Sequence, residues 1–286
     1  MSYTAKYTQG DENEVSKKNE IKDEILINGL DVEAWIEGPL EDTGPSIEET
    51  TLKYDKKLVA FLDLLGITSK IQTLKNGAEK EIISTMEKIK SIVDSELKSA
   101  PESSKINMLY ISDSFIFVCD KELLPYFLRI LSNIQMRILV ECHTMLRGAL
   151  EYGDVIIRDE GKQIIGPAYI EAYLKQEHHA IFPRIIIGNS VVLLINSSVE
   201  VYDKIIVSRD RETSLDYVDV YMEIEKKNKK EITTRLRREG IYDYLCKGYK
   251  EFNEQNNSSV RAKYAWTINY LKEKGVWSNA TQYNYW

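Results

Sequence analysis

Residues 58–66 read Leu-Val-Ala-Phe-Leu-Asp-Leu-Leu-Gly, an apolar segment in which Asp63 is the only charged side chain. From Leu58 to Leu62 no polar residue alternates with the apolar ones, which is typical of a strand buried on both faces. Between residues 77 and 98 apolar side chains recur at spacings of three and four, which predicts an amphipathic helix. The sequence therefore predicts a buried strand followed by a helix.

A hairpin, a second helix and another strand follow this first unit. Two short strand patterns between residues 108 and 118 flank a turn at Asp113, and helical and strand patterns follow at 123–142 and 145–157. The order strand, helix, hairpin, helix, strand is the ferredoxin-like βαββαβ arrangement, an α+β fold whose helices cover one face of an antiparallel sheet. The opposite face is expected to be open, and its apolar strands favour a homodimer.

The later part of the chain predicts additions to this unit. The patterns indicate a third helix at 166–176, strands at 185–187 and 191–195, an outer hairpin from 204–207 and 217–221, and a helical end. We divide the chain into an acidic, variable N-terminal arm at 1–52, a catalytic domain at 53–225 and a helical C-terminal extension at 226–286 that packs on it.

Composition and charge exclude several classes of protein. The 286 residues are 43% hydrophobic and 29% charged, enough to bury a sizeable core. Residues 1–52 carry 13 acidic side chains against 4 lysines, which leaves 32 acidic and 34 basic side chains beyond them. This nearly neutral body lacks the basic face of a nucleic-acid-binding domain. No apolar run has the about 18 residues of a membrane helix, and no signal-peptide pattern opens the chain, which predicts a cytoplasmic protein.

Two aspartates are the candidates for chemistry. Asp63 ends the first strand and Asp113 lies at the tip of the hairpin, and these two places are neighbours in a βαββαβ fold. Two carboxylates framed by apolar strands suit Mg²⁺ or Mn²⁺. Asp is also favoured as a helix cap and in turns, so a structural role is the alternative. The three cysteines are far apart, which excludes a Cys-x-x-Cys zinc site and leaves oxygen ligands for any metal.

Several motifs resemble those of class III nucleotidyl cyclases. Residues 61–68 resemble the first metal motif of that family, Ser112-Asp113-Ser114 the second, 147–153 the following strand and 166–172 the next helix. A wider set is similar to the pyrimidine cyclases of the Pycsar antiphage system: Ser112-Asp113-Ser114, Arg147-Gly148-Ala149, Gly166-Pro167-Ala168-Tyr169, Glu177, Pro183-Arg184-Ile185 and Lys263-Tyr264-Ala265-Trp266. The likeness spans roughly residues 55 to 270.

The resemblance implies a cyclase that converts a nucleoside triphosphate to the 3',5'-cyclic mononucleotide and pyrophosphate. The ribose 3'-hydroxyl would attack the α-phosphate, and two divalent cations would be held by Asp63, Asp113 and the backbone carbonyl of Leu64. The resemblance also implies a homodimer with its sites at the interface. A separate effector would respond to the cyclic nucleotide, and neither nucleic acid nor a membrane is an expected partner.

A phosphate-binding segment is expected after the first strand. Leu65, Gly66, Ile67 and Thr68 open the first helix, so their N–H groups and the helix dipole suit a polyphosphate. Gly66 permits close approach of a ligand, and it equally suits the turn from strand to helix.

The chain departs from the purine-specific cyclases at two places. Those enzymes carry a base-reading Lys or Glu just before the second metal aspartate, where this chain has Met108-Leu109-Tyr110. They also carry an Asn and an Arg four and eight residues after the glycine that matches Gly166, where this chain has Ile170 and Leu174. We therefore expect a pyrimidine substrate, UTP before CTP. Tyr110 either narrows the base pocket or belongs to the core.

Without that arginine, the cation that steadies the transition state must come from another position. Arg147, Arg184 and Lys204 are candidates, and each also suits an ordinary ion pair. The missing Asn and Arg favour a second hypothesis, a non-catalytic nucleotide sensor with a cyclase-like fold. A diguanylate-cyclase-like enzyme is less well supported, because the Ser112-Asp113-Ser114 tip does not match a Gly-Gly-Asp-Glu-Phe hairpin.

Overall fold

The computed structural model describes residues 53–67, 78–99, 106–197, 207–210, 213–220 and 226–277. The predicted arm at 1–52 and two candidate residues, Thr68 and Lys204, lie outside the described residues. The described elements in chain order are β1 (Asp55–Leu65), α1 (Ala78–Ser99), β2 (Asn107–Ile111), β3 (Ser114–Cys119), α2 (Leu124–Cys142), β4 (Met145–Arg158), β5 (Gln163–Ile165), α3 (Pro167–His179), β6 (Ile185–Ile187), α4 (Asn189–Ser197), β7 (Val207–Arg209), β8 (Asp216–Val218), α5 (Lys226–Arg238), α6 (Ile241–Glu254) and α7 (Ser258–Glu273).

The strand order confirms the predicted fold class. Within the described residues the sheet runs β2-β3-β1-β4-β6-β8-β7, and β5 pairs with β4. Strand β1 is antiparallel to both β3 and β4, and β2 and β3 form the predicted hairpin. Strand β6 is parallel to β4 and antiparallel to β8. The first part of the chain is therefore an antiparallel βαββαβ unit, and the later strands extend its sheet.

Strand β1 is buried on both faces, as its sequence predicts. Leu58, Ala60, Leu62 and Leu64 belong to the main core beneath α1 and α2. Val59 and Phe61 point to the other face and join a second cluster. Because side chains alternate along a strand, Asp63 lies on the face of Val59 and Phe61.

The prediction that this second face is open is wrong. Helix α3 packs over it, with Ala168 and Ala172 in one cluster with Val59 and Phe61. The small side chains of Ala168 and Ala172 let the helix approach the sheet closely, which a pattern of strands and helices does not reveal. The face that bears Asp63 is therefore covered in part by the chain itself.

The prediction of a strand at 191–195 is also wrong, because these residues form part of α4. The N–H groups of Val191 and Val192 donate to the Gly188 carbonyl, at 3.0 Å each. The Ser190 hydroxyl donates to Glu151 at 2.5 Å and accepts from the Tyr152 N–H at 2.9 Å. These tertiary bonds anchor a helix start and override the β-propensity of the apolar run. The outer hairpin is confirmed by β7 and β8 in the part of it that the structure describes.

One segment of the described chain, Lys121–Cys142, is long and apolar enough to cross a membrane by length and composition alone. Of its most apolar window, 67% is buried inside the structure, as in the core helix of a folded domain.

A network of charged side chains joins α1, α2 and α5. Arg137 of α2 contacts Glu96 of α1 at 2.8 Å and Glu141 of its own helix at 2.9 Å. Arg235 of α5 contacts Glu141 at 3.1 Å. The hydrogen bond from Arg137 lowers the pKa of Glu141 below its ordinary value of 4.5, although partial burial opposes this shift.

We predict that Glu141→Gln destabilises the fold by at most about 1 kcal/mol at neutral pH, because the group is partly exposed. The pKa of Glu141 is lower in the folded chain than in the unfolded one. Its contribution is therefore complete above the unfolded pKa and is lost as the pH falls through the folded pKa. Urea unfolding of both proteins over a pH series measures the difference. A difference that does not shrink in acid would contradict this, and the exposed Glu254→Gln of α6 is the control.

Candidate active site

The structure brings Asp63 and Asp113 together. Asp63 pairs with Ser114 in the β1–β3 register, and Asp113 precedes Ser114 in the hairpin turn. The N–H of Leu64 donates to the Asp113 carbonyl at 3.0 Å, which ties the end of β1 to that turn. The negative charge of Asp113 acts on Asp63 strongly enough to help raise its pKa. The convergence of the two acids expected from the βαββαβ order is present.

Two side chains hold one oxygen of Asp63. The guanidinium of Arg147, directly opposite on β4, donates from Nε to Oδ2 at 2.9 Å. The buried Gln176 of α3 donates from Nε2 to the same oxygen at 3.3 Å. Among the described residues none donates a hydrogen bond to Oδ1 of Asp63, so this oxygen remains available to a ligand.

The pKa of Asp63 is raised above its ordinary 3.8, and burial is the main cause. Arg147 opposes the rise through its hydrogen bond and charge, Asp113 adds to it, and Lys263 opposes it. A partly buried carboxylate beside a second negative charge gains from a further cation nearby.

Lys263 of α7 also belongs to this site. It is half-buried, and its pKa is lowered by burial and by the charge of Arg147, while Asp63 acts in the opposite direction. Sequence reasoning gave no role at the site to Gln176 or to Lys263, although Lys263 begins one of the segments that carry the resemblance to pyrimidine cyclases. One signal for Lys263 was present, because it interrupts the predominantly apolar and aromatic run from Ala262 to Ile268.

The expected phosphate-binding segment is described only to Ile67. Leu65 is half-buried, Gly66 is exposed and Ile67 is buried in the main core. Gly66 has φ +85°, a left-handed conformation that favours glycine, and a Cβ there would meet nothing within 4 Å. The turn itself therefore accounts for Gly66. Thr68 lies outside the described residues.

Tyr110 lies on the other face of the sheet from Asp63. It pairs with Phe115 and stacks on its ring with centroids 4.7 Å apart, and both rings pack in the main core. Burial raises the pKa of Tyr110, and the charge of Asp113 adds to the shift. The structure does not bring this side chain to the face on which Asp63 and Arg147 meet.

Within the chain, the structure does not bring Arg184 to Asp63 either. Its side chain is 1% exposed and pairs with Asp210 and, at 2.9 Å, with Thr213. Its guanidinium lies 5.4 to 5.7 Å from the ring centroids of Phe182, Tyr217 and Trp266. Of the cations predicted from sequence, the structure places only Arg147 beside Asp63. Lys204 lies outside the described residues.

The chemistry of the two carboxylates fits a hard divalent cation. Asp63 of β1 and Asp113 of the neighbouring hairpin turn repel each other, and an oxygen-rich pair of this kind suits a hard cation. Among the described residues no group of three or more His, Cys, Asp or Glu side chains is placed to hold a metal. Any metal at this site would need backbone, water or substrate oxygens as well.

No protein family and no curated protein matches the chain. Solved structures similar to it include a bacterial light-regulated adenylyl cyclase, with 17% identity and a TM-score of 0.42 over 65% of this chain and 99% of that one. The guanylyl cyclase domain of the RhoGC fusion protein from the aquatic fungus Blastocladiella emersonii has 17% identity and a TM-score of 0.43, over 58% and 95% of the two chains. The adenylyl cyclase CyaB from P. aeruginosa has 15% identity and a TM-score of 0.38, over 58% and 93%. The fold assignment above rests on the strand order of the chain itself.

Proposed function

We propose that the chain is a metal-dependent nucleotidyl cyclase. It would convert a pyrimidine nucleoside triphosphate, UTP before CTP, to the 3',5'-cyclic mononucleotide and pyrophosphate, as a cytoplasmic homodimer. The observation that carries the proposal is the convergence of Asp63 and Asp113 at one end of an antiparallel βαββαβ sheet, beside Arg147. The resemblance to Pycsar pyrimidine cyclases adds an antiphage role and a separate effector to the proposal.

The reaction needs an activated hydroxyl and stabilised phosphate charge. A bond forms between the ribose 3'-oxygen and the α-phosphorus, the bond from that phosphorus to the pyrophosphate oxygen breaks, and the hydroxyl proton goes to water. Asp63, Asp113 and the Leu64 carbonyl would hold two divalent cations, Mg²⁺ or Mn²⁺, which when bound neutralise the phosphates and acidify the hydroxyl. Arg147 and Gln176 fix the orientation of the Asp63 carboxylate, which limits its reorganisation during the reaction.

A non-catalytic nucleotide sensor is the second candidate, because the chain lacks the Asn and Arg of the purine-specific cyclases at the matching positions. The two positions are occupied by Ile170 and Leu174 of α3, which are 54% and 42% exposed. Tight nucleotide binding measured by calorimetry, with no turnover of any of the four nucleoside triphosphates over hours, would favour the sensor.

We predict that Asp63→Asn and Asp113→Asn each lower turnover about 100-fold or more, because the lost charge is needed to bind the cations. Pyrophosphate release from each nucleoside triphosphate with Mn²⁺, and again in excess EDTA, measures this. The exposed Asp243→Asn of α6 is the matched control and should retain activity. Activity that persists in the chelator, or in both site variants with intact circular dichroism spectra, would contradict the cyclase proposal.

We predict turnover of UTP ahead of CTP and of both ahead of ATP and GTP. The absence of a Lys or Glu at Met108 to Tyr110 and the Pycsar resemblance support this order. Because Tyr110 packs in the core, Tyr110→Leu should lower the stability and leave the selectivity unchanged. Shape exclusion by Tyr110 would instead show as an increase of up to about 10- to 200-fold in relative purine use. Mass spectrometry of the products with all four nucleotides distinguishes these outcomes.

We predict a homodimer at micromolar concentration that uses the exposed side of α3. Ile170 and Leu174 lie one turn apart there, and Ile181, 50% exposed, follows the helix. A stable interface buries about 800 Å² of surface on each partner and usually has an apolar centre. These three apolar side chains could form such a centre. Light scattering should give the mass of a dimer for the wild type and the mass of a monomer for Leu174→Glu. The control Leu193→Glu, at a 69% exposed position on α4, should leave the mass unchanged. A monomeric wild-type protein would contradict the dimer.

A further inference from the structure

The first turns of the C-terminal helix α7 reach the candidate site. Thr267, one turn after Lys263, donates to the sulfur of Met145 at 3.5 Å. Met145 and Arg147 project from the same face of β4, because they are two residues apart. Lys263 and Thr267 project from the same side of α7, because they are four residues apart. This side of the helix therefore covers the end of β4 on the face that bears Asp63.

A second contact places the same helix turn beside Arg147. The ring of Trp266 stacks on Phe182, with centroids 5.9 Å apart. Two residues before Phe182, the Ala180 carbonyl accepts a hydrogen bond from Arg147 at 3.5 Å. Thr267 and Trp266, about one turn after Lys263, therefore contact Met145 and Phe182, and these two residues lie close in sequence to Arg147 and to its partner Ala180.

The charge of Lys263 is not consumed by a protein partner in the part of the chain that the structure describes. There its ammonium has no hydrogen bond or ion pair, whereas Arg147 is paired with Asp63 and Arg184 with Asp210. The side chain is only half-buried, so part of it remains exposed to solvent. A half-buried cation beside an arginine is favourable where an anion binds.

We propose that Lys263 binds the polyphosphate part of the substrate, so that α7 supplies the phosphate-contacting cation from the same chain as Asp63 and Asp113. This inference rests on the proposed function, because it takes a nucleoside triphosphate as the ligand. It assigns to the C-terminal helix a contact that neither Arg184 nor the α3 positions Ile170 and Leu174 can make.

The test is calorimetric binding of inorganic tripolyphosphate in the presence of Mg²⁺ to the full chain. We expect Lys263→Met to weaken binding about 10- to 100-fold, since a hydrogen bond from a charged group is lost. Lys263→Arg should keep most of the affinity, because it keeps the positive charge. If only the aliphatic part of Lys263 mattered, the charge would make no such difference. Lys272→Met, at a half-buried lysine on the same helix, is the matched control and should bind as the wild type does.

Each outcome has a defined meaning. Unchanged affinity in Lys263→Met, or no tripolyphosphate binding by the wild type, would overturn the inference. If the methionine variant does not fold, Lys263→Gln is measured in its place, and the same criterion applies. The turnover assay with the four nucleotides is separate. If the chain turns over a nucleotide but its affinity for tripolyphosphate does not depend on Lys263, only this inference is overturned. If tripolyphosphate binding depends on Lys263 but no nucleotide is turned over, only the cyclase proposal is overturned.

Discussion

The ion pair between Asp63 and Arg147 depends on the register of one central strand. Asp63 faces Arg147 on β4 and Ser114 on β3 because β1 is paired on both sides over most of its length. A shift by one residue would turn Asp63 toward the main core and move Leu58, Ala60, Leu62 and Leu64 out of it, to the face under α3. The buried residues on both faces of β1 make such a shift costly, so they also position the carboxylate. Arg147 in turn offsets part of the cost of burying that charge.

Helix α3 connects the stability of the sheet to the geometry of the site. Its small residues Ala168 and Ala172 allow close packing on β1, and this packing brings Gln176 within hydrogen-bonding distance of Asp63. Lys175 of the same helix pairs with the buried Glu151 of β4. Because α3 is held both by this packing and by this ion pair, its Gln176 side chain can hold the Asp63 carboxylate in one orientation. The exposed side of the helix carries Ile170 and Leu174, so the proposed dimer contact and the Asp63 environment lie on opposite sides of one element.

The sequence predicted the parts of the fold that local patterns determine. The uninterrupted run at Leu58 to Leu62, the hairpin at Asp113 and the strand and helix order are all local, and together they predicted that Asp63 and Asp113 converge. Tyr110 could not be placed in the same way, because its face depends on the register with Phe115 and not on its distance from Asp113 in sequence. Lys263 is 200 residues beyond Asp63, and only the packing of α7 on β4 brings them together.

The C-terminal helices share a core with the sheet, which makes them able to hold a cation in a defined place. Met145 and Tyr217 of the sheet lie in one cluster with Trp266 and Leu271 of α7, and Trp266 stacks on Tyr270 with centroids 5.1 Å apart. The side chains of Asp63, Asp113, Arg147 and Lys263 carry two negative and two positive charges. In the proposed complex, two divalent cations balance the roughly four negative charges of a nucleoside triphosphate, so the loaded site would stay neutral. Without Lys263 the same site would carry one uncompensated negative charge in a partly buried position, where it opposes the binding of another anion.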